Sequence, residues 1–469
     1  MVSNQATTVA EGAIASSSKN KLYAAAWRWH FYTGLFVIPL FIILAVTGMA
    51  MTWIAYIDGR DGEKITVVPQ GVVQAVSAQA DAALKAVPGG TLKQYVAPRA
   101  DNLASIFRVD LDGKATMVVV DPYRVEVIAD FPRRSGWYDF ADNVHSDLLL
   151  GVPGDRILEI SASLGMVLIA TGLYMWWPRT NGWRKALIPE FNQNNRSIWK
   201  SLHGTVAFWL SIFLIFFLLS GLSWTGVWGG KFVQAWSSFP AEKWDNVPLS
   251  DVTHASMNHG PKEVPWALEQ TPMPASGSQA GQQVLGKGTP VRIDTMDALA
   301  RKIGFEGRYQ MNVPTSETGV YTFSRDSMST DSTDPFSDRT VHVDRYTGKV
   351  LADVRYEDYS WMGKAMAVGV ALHMGTMGLW SVLANTVICL SVIFLCVSGI
   401  VMWWKRKPSD NRRLAAPALP KDMPLWQGAV FVGLIISMAF PLAGLTLMSL
   451  MALDLILLSR IPILKRALS

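Results

Sequence analysis

The 469-residue sequence is poor in charge and contains only 2 cysteines. Charged residues make up 17% of the chain, against about 25% in soluble domains, whereas 50% of the residues are hydrophobic. This balance argues against a soluble enzyme. It also argues against a disordered chain, which would be rich in charge and poor in aromatic residues. Cys389 and Cys396 lie in one apolar run, so no disulfide framework stabilises the fold.

The sequence also lacks the signatures of a nucleotide-binding domain. No Gly-x-Gly-x-x-Gly motif lies on a strand–turn–helix pattern, so we expect no built-in nicotinamide or flavin domain. The net charge of +5 alone would fit a nucleic-acid partner. However, the basic residues flank apolar runs, so a lipid bilayer explains them better, and we expect no nucleic-acid partner.

Long apolar runs dominate what the sequence does contain. Four runs reach the roughly 20 residues that a membrane-spanning helix needs, and a run of about double that length follows them. The predicted spans are 27–57, 151–177, 203–228 and 366–404, with the double-length run at 424–458. That last run has Phe-Pro-Leu-Ala-Gly at 440–444. It is therefore either one kinked helix or a hairpin of two helices.

The distribution of Lys and Arg predicts the orientation of the spans, because cytoplasmic flanks carry an excess of both. The basic segments are 1–26, 178–202, 405–423 and 459–469, and they alternate with two long polar segments, 58–150 and 229–365. Both flanks of the last run are basic, so it should cross twice. We expect a bacterial inner-membrane protein with about six spans, both termini in the cytoplasm and both long segments in the periplasm.

The chain repeats a unit made of a span, an outer segment and a second span. The sequence ATGLYMWWPR at 170–179 resembles VSGIVMWWKR at 397–406. The outer segments share the pattern D-x-Y-x-x-x-V-(I/L)-A-D at 121–130 and 344–353. We therefore predict an α-helical membrane protein with a duplicated helix–(α+β periplasmic domain)–helix unit and a C-terminal helical hairpin outside the repeat.

The sequence pattern of each outer segment predicts one helix followed by strands with hairpin turns. The predicted elements are helices at 72–87 and 295–303 and strands at 106–110, 117–120 and 340–344. Asp112-Gly113 and Thr347-Gly348 supply the turn residues. The stretch 261–290 is rich in Gly, Pro, Ser and Gln, which predicts a linker.

Four of the 7 histidines occupy matching positions in the two copies. His30 matches His203 near the expected cytoplasmic face, and His145 matches His373 near the outer face. We expect helix breaks after the outer pair, at 151–154 and at Gly375 or Gly378. Two imidazoles at one depth can ligate a haem iron from both faces, and ionisable residues inside membranes are functional candidates. The pattern predicts an inner and an outer haem site.

Small residues accompany these histidines. A Ser/Thr-Gly pair occurs in all four repeated spans, and Gly48 lies 18 residues, or five helical turns, after His30. A flat macrocycle needs the room that glycine leaves. Small residues in membrane helices also mark close helix packing, so both interpretations stay open. The glycines expected to face haem are Gly34, Gly48, Gly172, Gly221 and Gly399.

These motifs together resemble the PepSY-associated transmembrane proteins. The motifs are W-R-W-H-F-Y-T-G-L at 27–35, the two Ser/Thr-Gly-x-x-Met-Trp-Trp ends, the duplicated D-x-Y strands and V-P-W-A-L-E-Q-T-P-M-P at 264–274. The resemblance covers nearly the whole chain from about residue 20. Some members are inner-membrane reductases of iron–siderophore complexes with two b-type haems. The resemblance implies two bis-histidine haem b groups, ligated by His30 with His203 and by His145 with His373.

The expected activity is electron transfer from the cytoplasmic or quinol side to a periplasmic ferric siderophore or other ferric chelate, releasing Fe(II) for uptake. The cytoplasmic links are too short to house a reductase domain, so membrane quinol or a separate cytoplasmic reductase must donate the electrons. Two alternatives remain. In the first, the haems pass electrons to a periplasmic copper or sulfur compound instead of a ferric chelate. In the second, the protein is a non-redox, membrane-anchored PepSY binding or regulatory module.

A second group of residues gives a weaker metal prediction. His254, Met257, His259 and Met273 lie in the second outer segment, and His and Met are plausible ligands of copper or iron. The pattern also fits a solvated linker, and we favour that interpretation.

Overall fold

Helices form one part of the chain and a β-sheet dominates the other. The computed structural model describes residues 2–179, 182–192, 195–233, 236–258, 263–286, 288–407 and 434–456. The chain divides into two units. The first comprises Met1–Thr47, Val144–Gly230 and Thr386–Ser469, and the second comprises Gly48–Asn143 and Lys231–Asn385.

The helices vary from one and a half to more than fifteen turns. Their bounds are α1 (Val2–Ile57), α2 (Val76–Ala86), α3 (Trp137–Asp147), α4 (Val152–Trp176), α5 (Gly182–Leu187), α6 (Arg196–Leu222), α7 (Ile293–Lys302), α8 (Trp361–Met374), α9 (Leu379–Trp404) and α10 (Pro441–Ile456). Among the described residues, four segments are long and apolar enough to cross a membrane. These are Lys21–Ile57, Val152–Trp176, Arg196–Leu222 and Leu379–Trp404.

Apolar side chains cover the outside of these helices. Phe36 is 44% exposed, Ile212 70% and Val387 62%. In water such a surface would drive association, whereas in a bilayer the lipid tails cover it, and the helical backbone satisfies its own polar groups. The chain is therefore a membrane protein.

In the described part of the first unit, apolar clusters join the helices of the bundle. One contains Val37 of α1, Leu164 of α4, Leu218 of α6 and Ala443 of α10. Another joins α1, α6 and α9 through Ala45, Leu210, Val392 and Cys396. The packing of small residues such as alanine lets the helix backbones approach closely, as membrane bundles require.

Two helices differ from the predicted spans. α6 begins at Arg196, so His203 lies two turns inside the helix rather than at its start. In place of the predicted span 366–404 there are α8, which begins at Trp361, and α9. The break between them confirms the one predicted at Gly375 or Gly378, since these glycines adopt φ 73° and 86°. Hydropathy marks the segment that lipid can surround, and a helix continues beyond it wherever the backbone hydrogen bonds continue.

The predicted break before the second span is present, but it begins earlier than 151–154. Leu148, Leu149 and Gly151 have φ values of 56°, 60° and 64°, which interrupt the helix between α3 and α4. Pro153 lies in the first turn of α4. Proline is favoured there because the first helical N–H groups need no intrahelical partner.

The described part of the last apolar run bends sharply at Phe440. A Cβ on Gly444 would lie 2.7 Å from Cβ of Ser437. A straight helix would separate two residues seven positions apart by about 10 Å along its axis, so the run is not one straight helix. The choice between one kinked helix and a hairpin stays a prediction. Residues 424–433 and 457–458 of the run lie outside the described part, and the count of six spans stays a prediction.

The described residues of the second unit form ten strands, and eight of them make one antiparallel sheet. The strands are β1 (Thr91–Val96), β2 (Ser105–Leu111), β3 (Lys114–Val120), β4 (Val127–Pro132), β5 (Leu249–Thr253), β6 (Pro272–Pro274), β7 (Gln310–Asn312), β8 (Val320–Arg325), β9 (Arg339–Asp344) and β10 (Val350–Arg355). The sheet order is β10-β9-β8-β7-β1-β2-β3-β4, and β5 pairs with β6 separately. β1 and β7 therefore join two four-stranded halves into one sheet.

The helices α2 and α7 pack on one face of this sheet. Val76 and Ala83 of α2 and Leu299 of α7 share a buried cluster with Phe107 and Val341 of the strands. The predicted β2–β3 hairpin is confirmed, since Ser105 to Leu111 pair with Val120 to Lys114. Its turn residues Asp112 and Gly113 have φ 48° and 75°, which suit a tight hairpin turn.

The duplicated D-x-Y motif makes the same contacts in both halves of the sheet. Asp121 Oδ1 accepts a hydrogen bond from the backbone N–H of Tyr123 at 2.8 Å, and Asp344 Oδ1 accepts one from that of Tyr346 at 2.9 Å. Each tyrosine hydroxyl then donates to a backbone carbonyl at 2.9 Å. The residues that the two segments share thus form the same turn in both halves of the sheet.

Part of the predicted linker 261–290 is packed, which corrects its interpretation for 264–275, whereas the described residues of 281–290 are exposed or half-buried. Leu268 is fully buried, and Trp266 and Met273 are 5% and 8% exposed. Pro272–Pro274 forms β6 against β5. Gly, Pro and Ser give this stretch an irregular backbone, but its apolar residues still bury themselves against the rest of the unit.

Candidate functional site

The helices α1 and α6 bring His30 and His203 together within the first unit. The ring centroids are 6.4 Å apart and the ring planes are at 81°. Two imidazoles that bind one metal ion from opposite sides, with metal–nitrogen bonds of about 2.0 Å, have their ring centres roughly 6 Å apart. The spacing of this pair therefore fits two axial ligands of one iron.

Each of these two rings has a hydroxyl at its Nδ1 atom. His30 Nδ1 lies 3.0 Å from Thr171 Oγ1 of α4, and His203 Nδ1 lies 2.8 Å from Ser398 Oγ of α9. Both hydroxyls belong to the Ser/Thr-Gly pairs, so these pairs contact the histidine of a neighbouring helix. This leaves Nε2 of each ring as the nitrogen that can ligate a metal.

The glycine of one such pair allows the close approach of an imidazole. A Cβ at Gly172 would lie 3.3 Å from Cε1 of His30. At Gly34 and Gly399 an added Cβ would meet its nearest neighbours, Leu168 and Ile38, at the ordinary distances of 3.9 and 3.8 Å. Gly48 and Gly221 lie half-buried in α1 and α6. Whether these five glycines face haem stays a prediction.

The predicted outer ligands lie in different units. His145 of α3 belongs to the first unit, where its Nδ1 is 2.9 Å from Thr47 Oγ1 of α1. His373 belongs to the second unit, near the end of α8. Their pairing around a second iron stays a prediction.

The position of His373 depends on the amide of Asn385. Asn385 Nδ2 donates to the backbone carbonyls of Leu372 at 3.0 Å and of His373 itself at 3.1 Å. These carbonyls lie in the last turn of α8, where a helix cannot supply partners for all of its own carbonyls, and that of Leu372 also accepts from the backbone N–H of Gly375 at 3.3 Å. A Cβ at Gly375 would lie 3.0 Å from the same Nδ2 atom, so glycine at this position allows the contact.

The sheet unit contains a second pair of histidines. His254, in the segment after β5, is fully buried and its Nε2 lies 2.9 Å from Nε2 of His342 in β9. This corrects the favoured interpretation of His254 as part of a solvated linker. Met257 Sδ accepts a hydrogen bond from the amide of Asn312 at 3.5 Å, and Met273 is buried. His259 lies outside the described residues.

The hydrogen bonds of this second pair define its protons. The carbonyl of Thr271 can only accept, so His254 Nδ1, at 2.7 Å, is protonated and His254 Nε2 accepts. His342 Nε2 must then donate to His254 Nε2. His342 Nδ1 lies 3.0 Å from Thr322 Oγ1 and accepts a hydrogen bond from that hydroxyl. Burial lowers the pKa of His254 to about 4 and that of His342 well below its usual value, so both rings are neutral.

His254 and His342 form a hydrogen-bonded pair rather than half of a tetrahedral metal site. Two nitrogen ligands of a tetrahedral ion lie about 3.3 Å apart, whereas these Nε2 atoms are 2.9 Å apart in a hydrogen bond. Within the described ranges, no group of three or more His, Cys, Asp or Glu side chains is placed to hold a metal ion.

The sheet face opposite α2 and α7 borders a cleft of about 810 Å³. Arg60, Arg133, Arg308, Glu263 and Asp326 are among its lining residues. Arg133 is 3.0 Å from Glu263, so charges of both signs are paired across the cleft. Burial, followed by the nearby charge of a second aspartate, raises the pKa of Asp326 to about 7.

Some of these functional contacts were not predicted. The Ser/Thr-Gly pairs were recognised, but the contact of their hydroxyls with histidine was not. The equal offset of His30 and His203 from such pairs was the available signal. No local signal joins His254 to His342, because 88 residues separate them in the chain.

Comparison with known proteins gives one finding. The sequence profile of the family described as the PepSY-associated TM region matches residues 27–406. This range contains all four repeated histidines and both halves of the sheet. No curated protein matches the chain.

Proposed function

Because the chain belongs to the PepSY-associated transmembrane family, we propose that it is a membrane oxidoreductase with two haem b groups. His30 with His203 would hold one iron, and His145 with His373 the other. A bis-histidine haem supplies one-electron transfer without an open coordination position for substrate. The observation that supports the proposal is the 6.4 Å spacing of the His30 and His203 rings.

The chain's own residues provide the surroundings that such a group needs. Thr171 and Ser398 hold the two imidazoles at Nδ1, and Gly172 leaves room beside His30. The apolar cluster around Ala45, Leu210 and Val392 excludes water from the bundle interior. A low-dielectric, water-poor surrounding and neutral histidine ligands are two means by which a protein sets a haem potential.

We propose a ferric siderophore or another ferric chelate in the periplasm as the acceptor. One electron reduces Fe(III) to Fe(II), which hard oxygen donors bind more weakly, and the iron is released for uptake. Membrane quinol or a cytoplasmic reductase would supply the electron. This assignment requires a bacterial inner membrane, with both termini in the cytoplasm and the sheet unit in the periplasm.

The test is a stopped-flow measurement on the full-length protein in detergent. The protein is reduced with a stoichiometric amount of dithionite and mixed anaerobically with ferric chelates, while a ferrous-specific chelator reports the product. We expect haem oxidation and Fe(II) formation in equal amounts. Oxidation by copper or sulfur compounds but not by ferric chelates would support the alternative acceptor instead.

A matched pair of variants connects this activity to the site. His203→Ala removes one proposed ligand, and His254→Ala removes a histidine of the sheet unit that the proposal does not use. We expect the first variant to lose ferric reduction and the second to retain it. Loss in both variants, or in neither, would contradict the proposal.

A second function is favoured by the cleft on the sheet. Its lining combines apolar side chains such as Val96 and Met117 with the charged Arg133 and Glu263, a mixture typical of ligand sites, and this supports a binding or regulatory module. A protein that takes up no haem would leave this alternative as the better account.

A further inference from the structure

The Ser/Thr-Gly pairs at 47–48, 171–172 and 398–399 each place a hydroxyl at the Nδ1 atom of a repeated histidine. The distances are 2.9 Å from Thr47 to His145, 3.0 Å from Thr171 to His30 and 2.8 Å from Ser398 to His203. In each case the hydroxyl comes from a different helix than the histidine. The recurrence at three sites distinguishes this contact from an incidental one.

The proton of each hydroxyl already has an acceptor in its own helix. Thr47 Oγ1 donates to the carbonyl of Ile43 and Thr171 Oγ1 to that of Val167, both at 2.7 Å. Ser398 Oγ donates to the carbonyl of Leu395 at 3.0 Å. A hydroxyl has one proton, so while it donates to its own helix each oxygen can only accept from the histidine. In that arrangement the proton of the imidazole lies on Nδ1.

We propose that Thr47, Thr171 and Ser398 are positioning residues that hold His145, His30 and His203 in the Nδ1–H tautomer, with Nε2 deprotonated for iron. This inference rests on the proposed haem function. Metal-ligating histidines in proteins usually donate their other N–H to an acceptor that fixes the ring, and removing that acceptor weakens metal binding about 10- to 100-fold. Here the acceptor is an uncharged hydroxyl, which suits a site inside a bilayer, where a carboxylate would be costly to bury.

The acceptor also influences the electron density at the ligand. A hydrogen bond from Nδ1–H makes the imidazole a stronger donor to Fe(III), so its removal favours Fe(II) and raises the midpoint potential. Thr171 and Ser398 act on the same proposed haem, whereas Thr47 acts on the other. The structure therefore predicts which of two redox components each substitution changes.

The experiment compares full-length variants Thr171→Val, Ser398→Ala and Thr47→Val by redox titration and by haem transfer to excess apomyoglobin. The controls are Thr446→Val and Ser391→Ala, whose hydroxyls donate to the carbonyls of Leu442 and Val387 in the same way. We expect T171V and S398A to release one haem about 10- to 100-fold faster and to raise the potential of one component. T47V should change the other component.

Two further variants separate positioning from misfolding. Thr171→Ser and Thr47→Ser keep the hydroxyl and should restore haem retention and potential. If T171V and S398A match T446V and S391A in both measurements while the unmodified protein binds two haems, this inference is wrong and the proposed function stands. An unmodified protein that binds no haem would overturn both.

Discussion

The facing histidines of the helix bundle, His30 and His203, differ from those of the sheet unit, His254 and His342, in what their nitrogen atoms do. In the bundle, the ring centroids of His30 and His203 are 6.4 Å apart and hydroxyls occupy both Nδ1 positions. In the sheet unit, the centroids of His254 and His342 are 4.9 Å apart and the two Nε2 atoms bond to each other. Under the proposed function, the first pair keeps its two Nε2 atoms for an iron, whereas the second pair uses all four nitrogens within the protein. Counting hydrogen-bond partners thus distinguishes the proposed ligand pair from a structural pair.

The largest expected difference concerns haem content. Removing one axial imidazole with His30→Ala should reduce the content from about two haems to about one per chain. His342→Ala should leave the content unchanged. Pyridine haemochrome analysis of the purified proteins measures both. Equal haem content in the two variants would contradict the distinction between the pairs.

Removing one member of the sheet pair should change stability instead. His342→Ala leaves a cavity and an unpaired Nε2 on buried His254, and we expect it to lower the free energy of unfolding of this unit by about 2–4 kcal/mol. Hydrogen exchange of peptides covering β9 in the full-length protein measures the local effect. His342→Gln keeps an N–H donor and should recover part of the loss. Unchanged exchange in both variants would show that the pair contributes little.

The sheet pair also predicts a pH dependence. His254 has its pKa lowered to about 4 and that of His342 is lowered well below its usual value, whereas in the unfolded chain both protonate near pH 6.5. The two rings contribute fully to the free energy of unfolding above pH 6.5. This contribution is lost as the pH falls towards 4, because only the unfolded state gains protons. Each ring contributes a slope of about 1.4 kcal/mol per pH unit in that window.

Hydrogen exchange of β9 and of the segment 249–257, corrected for intrinsic rates, follows this loss. A double variant, His254→Phe with His342→Leu, removes both titrating groups and should flatten the profile between pH 4 and 6.5. An equally steep profile in the double variant would assign the pH dependence to other groups.

The smallest expected effect concerns Gly172. Gly172→Ala would place a Cβ 3.3 Å from Cε1 of His30, so the ring must move by a few tenths of an ångström, and we expect a small shift in the visible spectrum of the proposed inner haem. Gly230→Ala, where no heavy atom lies within 4 Å of the added Cβ, is the control and should leave the spectrum unchanged. A larger shift from Gly230→Ala would contradict this geometry.

Local patterns predicted much of this fold. Apolar run length identified the four long helices, and Asp112-Gly113 identified the β2–β3 hairpin, because both signals lie within a few adjacent residues. The pairing of β1 with β7 was not predicted, since it joins residues more than 200 positions apart. It makes one sheet where two separate domains were expected to follow each other.

The sequence likewise predicted part of the candidate site. The repeat relation brought His30 and His203 into one hypothesis, and the structure places them side by side. The partners of their Nδ1 atoms depend on helix rotation, which sequence spacing alone does not define. His254 was misjudged because Gly- and Pro-rich neighbours suggest exposure, whereas its burial depends on contacts with a distant strand.

The most direct test of the central claim is the visible and EPR spectrum of the purified full-length protein, with the haem content measured on the same sample. The account predicts about two low-spin b-type haems per chain. At least one should give the strongly anisotropic ferric signal of near-perpendicular axial imidazoles, since the His30 and His203 planes are at 81°. A colourless protein that takes up no added haem would contradict the account.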